Sequence, residues 1–185
     1  MKYVRTNVWP TGYYSEWFIG TPGTTYEFRV VGKDTSGNSA EASTTTTIAT
    51  GCTVDAYEKN NDGQKTGASA LVIGQPQEHN FCANDVDWAI FDGVAGKTYF
   101  IAAESLSGGA TIKLELQDSS GTTLLPVSVS PGLGKPAAIV WKPTSSGKYY
   151  LMVTSVLPEV AGTDVRYSLT TIDDPTINYF PLVGR

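Results

Sequence analysis

Residues 52–91 read CTVDAYEKNNDGQKTGASALVIGQPQEHNFCANDVDWAIF. This stretch contains both cysteines, the single histidine and the densest run of acidic and amide side chains. It closes on Asp87-Trp88-Ala89-Ile90-Phe91, where alternation assigns Ala89 and Phe91 to an inner face and Trp88 and Ile90 to the opposite one. A period of two is the mark of a strand with one face on a core. Gln77 to Phe81 reads as a second short strand, and Cys82-Ala83-Asn84-Asp85 as the turn between them. The stretch therefore reads as an oxygen-rich corner of a β structure.

The same alternation continues on the carboxyl side. Tyr99, Ile101 and Ala103 alternate with Thr98, Phe100 and Ala102. Ile112, Leu114 and Leu116 alternate with Lys113, Glu115 and Gln117, an amphipathic strand that turns at Asp118-Ser119-Ser120-Gly121. Ile139 and Trp141 precede Pro143; Thr144 to Gly147 turns into Lys148-Tyr149-Tyr150-Leu151-Met152-Val153; Tyr167 and Leu169 lie on a last strand. Short strands at regular spacing, with polar Gly-containing turns, predict an all-β, jelly-roll-like β-sandwich over residues 51–172.

On the amino side, Tyr26, Phe28 and Val30 alternate with Thr25, Glu27 and Arg29, which predicts a half-buried strand. Lys33 to Ser39 is a hairpin loop, and Thr44 to Ile48 returns as a Thr-rich strand. Ala49-Thr50-Gly51 is the expected linker, and residues 173–185 form a tail that breaks the sheet pattern.

Composition narrows the function classes. The chain has 185 residues, 41% of them hydrophobic, enough to build a core, with 19 Gly and 10 Pro favouring turns. A net charge of −5 and no basic stripe argue against nucleic-acid binding. No apolar run approaches the ~18 residues of a membrane helix. The amino terminus, MKYVRTNVWPTGYYSEW, lacks the apolar core of a signal peptide, so the chain is expected to be a piece of a longer secreted protein, with Met1 an added start. In a secreted chain Cys52 and Cys82 are expected to form a disulfide, worth about 3–4 kcal/mol in the chain-entropy model; two free buried thiols are the cytosolic alternative.

Two resemblances follow from these motifs. GTTYEFRVVGKDTSGNSAEAS resembles the last half of a fibronectin type III domain, so residues 1–50 are expected to be a partial immunoglobulin- or fibronectin-like β-sandwich, completed by upstream sequence or another chain. The second unit resembles a bacterial pre-peptidase C-terminal domain. The resemblance rests on Asp55-Ala56-Tyr57-Glu58-Lys59-Asn60-Asn61-Asp62, Asp85 to Phe91, Ala95-Gly96-Lys97-Thr98-Tyr99 and Ser146 to Val153. It departs at Lys59, where that family usually has proline, and in the cysteine pair. The resemblance implies a small sandwich attached to a secreted exoenzyme, an accessory module rather than a catalyst. The tail's Tyr179-Phe180-Pro181-Leu182-Val183-Gly184-Arg185 is similar to a short Leu-Pro-Leu-Val-x-Arg ending of some exported bacterial proteins, or is a loose terminus or an edge strand.

The acidic constellation is the strongest candidate site. Calcium takes six to eight oxygens, and Glu58, Asn60 and Asp62 on one loop with Asp85 and Asp87 on a strand supply them in kind. Calcium-binding members of the resembling family use these two regions, which implies Glu58, Asn60, Asp62, Asp85 and Asp87 as metal ligands. The spacing is not that of an EF-hand. The competing reading is that Asp55, Asn60 and Asp62 cap turns while Asp85 and Asp87 shape a loop. Trp88 and Tyr150, on the predicted outer face, are candidates for ligand binding to a polysaccharide or protein. His79 stands without zinc-spaced partners and no Gly-x-Ser-x-Gly elbow occurs, so it is read as a surface or half-buried strand residue rather than a general base.

The expected function is a non-catalytic, extracellular or cell-surface accessory or attachment module, with calcium as its cofactor. The alternatives are a subunit of a surface assembly completed by strand exchange with neighbouring chains, and a carbohydrate- or protein-ligand-binding module.

Overall fold

The computed structural model of the chain describes residues 18–58 and 63–174. Eleven strands are present among them: β1 Thr25–Lys33, β2 Ser39–Thr47, β3 Ser69–Ala70, β4 Gln77–Asn80, β5 Val86–Gly93, β6 Tyr99–Ser105, β7 Ile112–Gln117, β8 Ser128–Val129, β9 Ala137–Trp141, β10 Gly147–Ser155 and β11 Arg166–Asp173. No α-helix occurs among the described residues. Accordingly none of them forms a helix long and apolar enough to cross a membrane.

From β3 onward the strands form two sheets. One has the order β3-β5-β10-β7-β8 and the other β4-β11-β6-β9. Neighbours pair antiparallel throughout, except that two-residue β3 runs parallel to β5. The alternation in the sequence is what makes the layers. On β5, Asp87, Ala89, Phe91 and Gly93 are buried and Trp88 and Ile90 are half-buried; on β10, Tyr149, Leu151 and Val153 point inward. Ile101, Ile112, Leu114, Leu116, Leu151, Val153, Tyr167 and Leu169 are fully buried and form one core with Phe81 and Tyr99.

Fully burying one such aliphatic or aromatic side chain contributes about 1.5–3 kcal/mol. Several together outweigh a single disulfide, so burial between the sheets is what holds the sandwich. The turns agree with their chemistry. Asp118 accepts hydrogen bonds from the backbone of Ser120 (2.8 Å) and Thr122 (3.0 Å), and Gly121 takes φ 92°.

One outward position departs from expectation. Glu115 lies on the polar side of β7 but is only 9% exposed, because Thr123 Oγ1 (2.5 Å) and Gln117 Nε2 (2.8 Å) donate to its carboxylate. Those bonds hold its carboxyl below the ordinary glutamate range.

The amino-terminal strands form a separate two-stranded sheet, Thr25 opposite Thr47 through Lys33 opposite Ser39. The hairpin loop is where expected, with Gly37 at φ 86° and Asp34 accepting from Ser36 and Asn38. The half-buried strand, however, is not seen. Every described residue of β1 and β2 is exposed except Tyr26, which is half-buried. Among the described residues no second sheet is paired with this one; Tyr26 and Phe28 meet Phe18 edge-on at 5.2 and 4.8 Å. Residues 1–17, with Trp9, Tyr13, Tyr14 and Trp17, and the tail from residue 175 lie outside the described residues.

Candidate functional site

The corner around residues 52–58 is built on a sulfur bridge. Cys52 and Cys82 form a disulfide with their Cα atoms 5.7 Å apart. It ties a segment that belongs to no strand to the end of β4. Further bonds moor the segment: Thr53 N donates to Thr163 Oγ1 (2.7 Å), and Asn80 Nδ2 donates to Thr53 O (2.7 Å).

Asp55 turns the segment inward. Its Oδ1 accepts from the Tyr57 N–H (2.8 Å), the local bond that makes aspartate a turn former. Its Oδ2 accepts from the Asn80 N–H (3.0 Å) and lies 3.4 Å from His79 Nδ1. Burial pushes the Asp55 carboxyl upward, but the bonds from His79, Tyr57 and Asn80 outweigh it and hold the carboxyl below its ordinary value.

His79 is 1% exposed, which corrects the reading of a surface or half-buried histidine. The strand assignment stands; the burial comes from pairing across the sheet, since His79 sits directly opposite Tyr167. Its ring is stacked between Tyr57 (4.6 Å) and Tyr167 (5.3 Å), and Tyr167 stacks in turn on Phe81 (4.6 Å). His79 Nδ1 is 3.7 Å from Asp87 Oδ1, and the Tyr167 hydroxyl donates to Asp87 Oδ2 (2.5 Å). Burial, then the neighbouring Asp87 charge, raise the Tyr167 phenol well above its ordinary range. An aspartate on the inner face of a strand is thus held by a tyrosine and a histidine from the facing sheet.

Asp87 also belongs to a second group. One carboxylate oxygen each from Glu58, Asp85 and Asp87 lies within 4.8 Å of the other two. Asp85 is oriented by the Cys82 N–H, which donates to its Oδ2 (3.0 Å), in a turn where Asn84 takes φ 62°. Two unit charges 4.8 Å apart repel by about 3 kcal/mol at an effective dielectric of ~20. A bound divalent cation would turn that repulsion into attraction, and the three carboxylates offer up to six hard oxygens. Asp55, His79 and Asp87 form a mixed nitrogen–oxygen group of the same dimensions.

Of the five residues expected to hold calcium, the structure brings Glu58, Asp85 and Asp87 together. Asn60 and Asp62 lie outside the described residues. Asp85 does shape a turn, whereas Asp87 is a strand residue. Asp55, Tyr57, His79 and Tyr167 were not assigned to the site from sequence. Asp55 carried a signal in its acidic run; Tyr167 carried none, being brought in by a strand 80 residues away from Asp87.

Trp88 and Tyr150 do share the outer face of the five-stranded sheet, and both are half-buried. Lys65 reaches over them, its Nζ 4.4 Å from the Tyr150 ring and 5.9 Å from the Trp88 ring, while donating to Asp118 O (2.8 Å). A ligand stacking on these rings meets that ammonium first. The same corner borders a cleft lined by Thr53, Asp55, Glu78, His79, Asn80 and Arg166.

No protein-family model and no curated protein matches the chain. Among solved structures it is similar to the pre-peptidase C-terminal domain of collagenase from Bacillus anthracis, at 20% identity over 56% of this chain and 93% of that one, TM-score 0.43. It is also similar to PliG of Aeromonas hydrophila, a periplasmic inhibitor of g-type lysozyme, at 15% identity over 57% and 95%, TM-score 0.43. A carbohydrate-binding module of the β-sandwich superfamily is similar at 12% identity over 81% and 74%, TM-score 0.29.

Proposed function

We propose that this chain is a non-catalytic, extracellular accessory module of a larger secreted protein, and that calcium rigidifies the corner from Cys52 to Asp87. The supporting observation is the convergence of the Glu58, Asp85 and Asp87 carboxylates beside the disulfide. In this reading Asn60 and Asp62, which lie outside the described residues, are the further candidate ligands. A cation held between the 52–58 segment and β5 would fasten the point where the sandwich begins, the natural place to stiffen a module against its neighbour.

The test is thermal melting of the oxidised chain with calcium and with chelator. At 100 times Kd, a ligand that binds only the folded state stabilises by about 2.7 kcal/mol. Calcium is expected to raise Tm in the wild type and not in Glu58→Gln/Asp85→Asn. An unchanged wild-type Tm at millimolar calcium rejects the reading and leaves Asp85 as a turn former.

A second reading rests on the hairpin. Among the described residues β1 and β2 pair only with each other, leaving two unpaired strand edges. Such edges take up a strand from another chain. This reading predicts oligomers in native mass measurements; a monomer at all concentrations removes it.

A further inference from the structure

We infer that Asp55, His79 and Asp87 form a binding site for a divalent first-row transition ion such as zinc, held by one imidazole nitrogen and two carboxylates. The calcium reading is not needed for this: Asp55 and His79 stand outside the group of Glu58, Asp85 and Asp87, and only Asp87 is common to both. The site is built around the edge of the His79 ring. Tyr57 and Tyr167 stack on its faces, so other groups meet it edge-on. At that edge Nδ1 lies 3.4 Å from Asp55 Oδ2 and 3.7 Å from Asp87 Oδ1. One ligand atom from each of the three residues lies within 4.8 Å of the other two.

These spacings suit one small ion. Ligands bound at about 2.0–2.2 Å in a tetrahedron stand roughly 3.3–3.6 Å from one another. Each carboxylate is also aimed. The Tyr57 N–H fastens Asp55 Oδ1 and the Tyr167 hydroxyl fastens Asp87 Oδ2, which turns the other oxygen of each toward Nδ1. Outer partners of this kind orient the ligands of a metal. The Asp55 carboxyl is held below its ordinary range, so it carries the charge a ligand needs. The donor set separates this site from calcium: calcium takes oxygen, whereas imidazole suits zinc, copper, iron and nickel. An ion enters from the cleft that Asp55, His79 and Asn80 help to line. In the bound state Nδ1 gives its lone pair to the ion and the ring proton is on Nε2.

The experiment adds zinc sulfate to the untagged, oxidised chain and follows the imidazole nitrogens by long-range proton–nitrogen NMR. The chain has a single histidine, so the signals identify themselves. Calorimetry gives the zinc affinity of the same protein, of Asp55→Asn and of His79→Asn, each checked by circular dichroism. The expected result is a saturable shift of the Nδ1 signal at equimolar zinc, and a Kd weaker by about tenfold or more in both variants. Unchanged imidazole signals at excess zinc overturn the site, whether or not the variants fold. Full zinc affinity in a folded Asp55→Asn or His79→Asn overturns it as well. So does affinity lost in Glu58→Gln/Asp85→Asn but kept in Asp55→Asn, which moves the ion to the acidic group. The calcium melts described above are read separately, so either reading can fail without the other.

Discussion

Replacing Tyr167 by Phe removes one atom from the centre of the corner. The ring is fully buried, and its stacking on Phe81 and His79 is unaffected by loss of the hydroxyl. What is lost is the 2.5 Å bond to Asp87 Oδ2, a buried carboxylate 1% exposed. A hydrogen bond to a charged group contributes about 1.5–3 kcal/mol, and the acceptor left behind is desolvated. For a sandwich of roughly 120 residues the unfolding entropy makes 1 kcal/mol worth about 4 °C, so Tm should fall by about 6–12 °C. The assay is a melt at pH 7 in chelator, so that no cation shares Asp87.

The pH dependence sharpens this prediction. The unfolded phenol ionises near its model value of 10.0, while the buried one stays protonated well above it. Above pH 10 the unfolded state therefore binds fewer protons, and wild-type stability falls as pH rises. Below pH 10 the contribution is complete. Tyr167→Phe has no such limb, so the gap between wild type and variant should narrow as pH rises above 10. A Tm change under 2 °C at pH 7, or a gap independent of pH, refutes the bond as a source of stability.

Other substitutions probe the rest of the frame. Asp55→Asn should destabilise at neutral pH and flatten the acid limb: the native carboxyl sits below its ordinary 3.8, so its contribution is present above the unfolded value and lost as pH falls below it. Stability profiles of both proteins from pH 2 to 7 check this; parallel profiles contradict it. Thr171→Val should stabilise by about 1 kcal/mol in urea unfolding, because the fully buried hydroxyl has no hydrogen-bond partner among the described residues; a loss of stability would contradict that. Gly108→Ala should cost about 2 kcal/mol or more, since φ is +63° and a Cβ would lie 2.4 Å from Asp164 O. Gly132→Ala, with nothing within 4 Å, is the control and should differ from wild type by under about 0.5 kcal/mol.

The strands were legible because burial on one face writes a period of two into β5, β7 and β10. The disulfide was legible from the even cysteine count and the expectation of a secreted chain. Glu58, Asp85 and Asp87 were legible as a group because the bridge brings the two segments that carry them together. His79 was not: its environment is fixed by Tyr167 and Tyr57, and strand register across 88 residues leaves no local trace in β4. The parallel pairing of β3 was missed for the same reason, a two-residue strand having too little pattern to read. Lys65 over Trp88 and Tyr150 depends on a three-residue 3-10 turn, Lys65–Gly67, laid on the outer sheet face. Alternation could place the two rings outward but could not reveal what lies on them.

The proposed calcium site lies between the bridged segment and β5. A crystal of the oxidised chain soaked in a calcium-mimicking lanthanide locates it by anomalous scattering. One strong peak is expected about 2.3–2.6 Å from carboxylate oxygens of Glu58, Asp85 and Asp87. No peak there, or one placed only on other acidic side chains, would contradict that site.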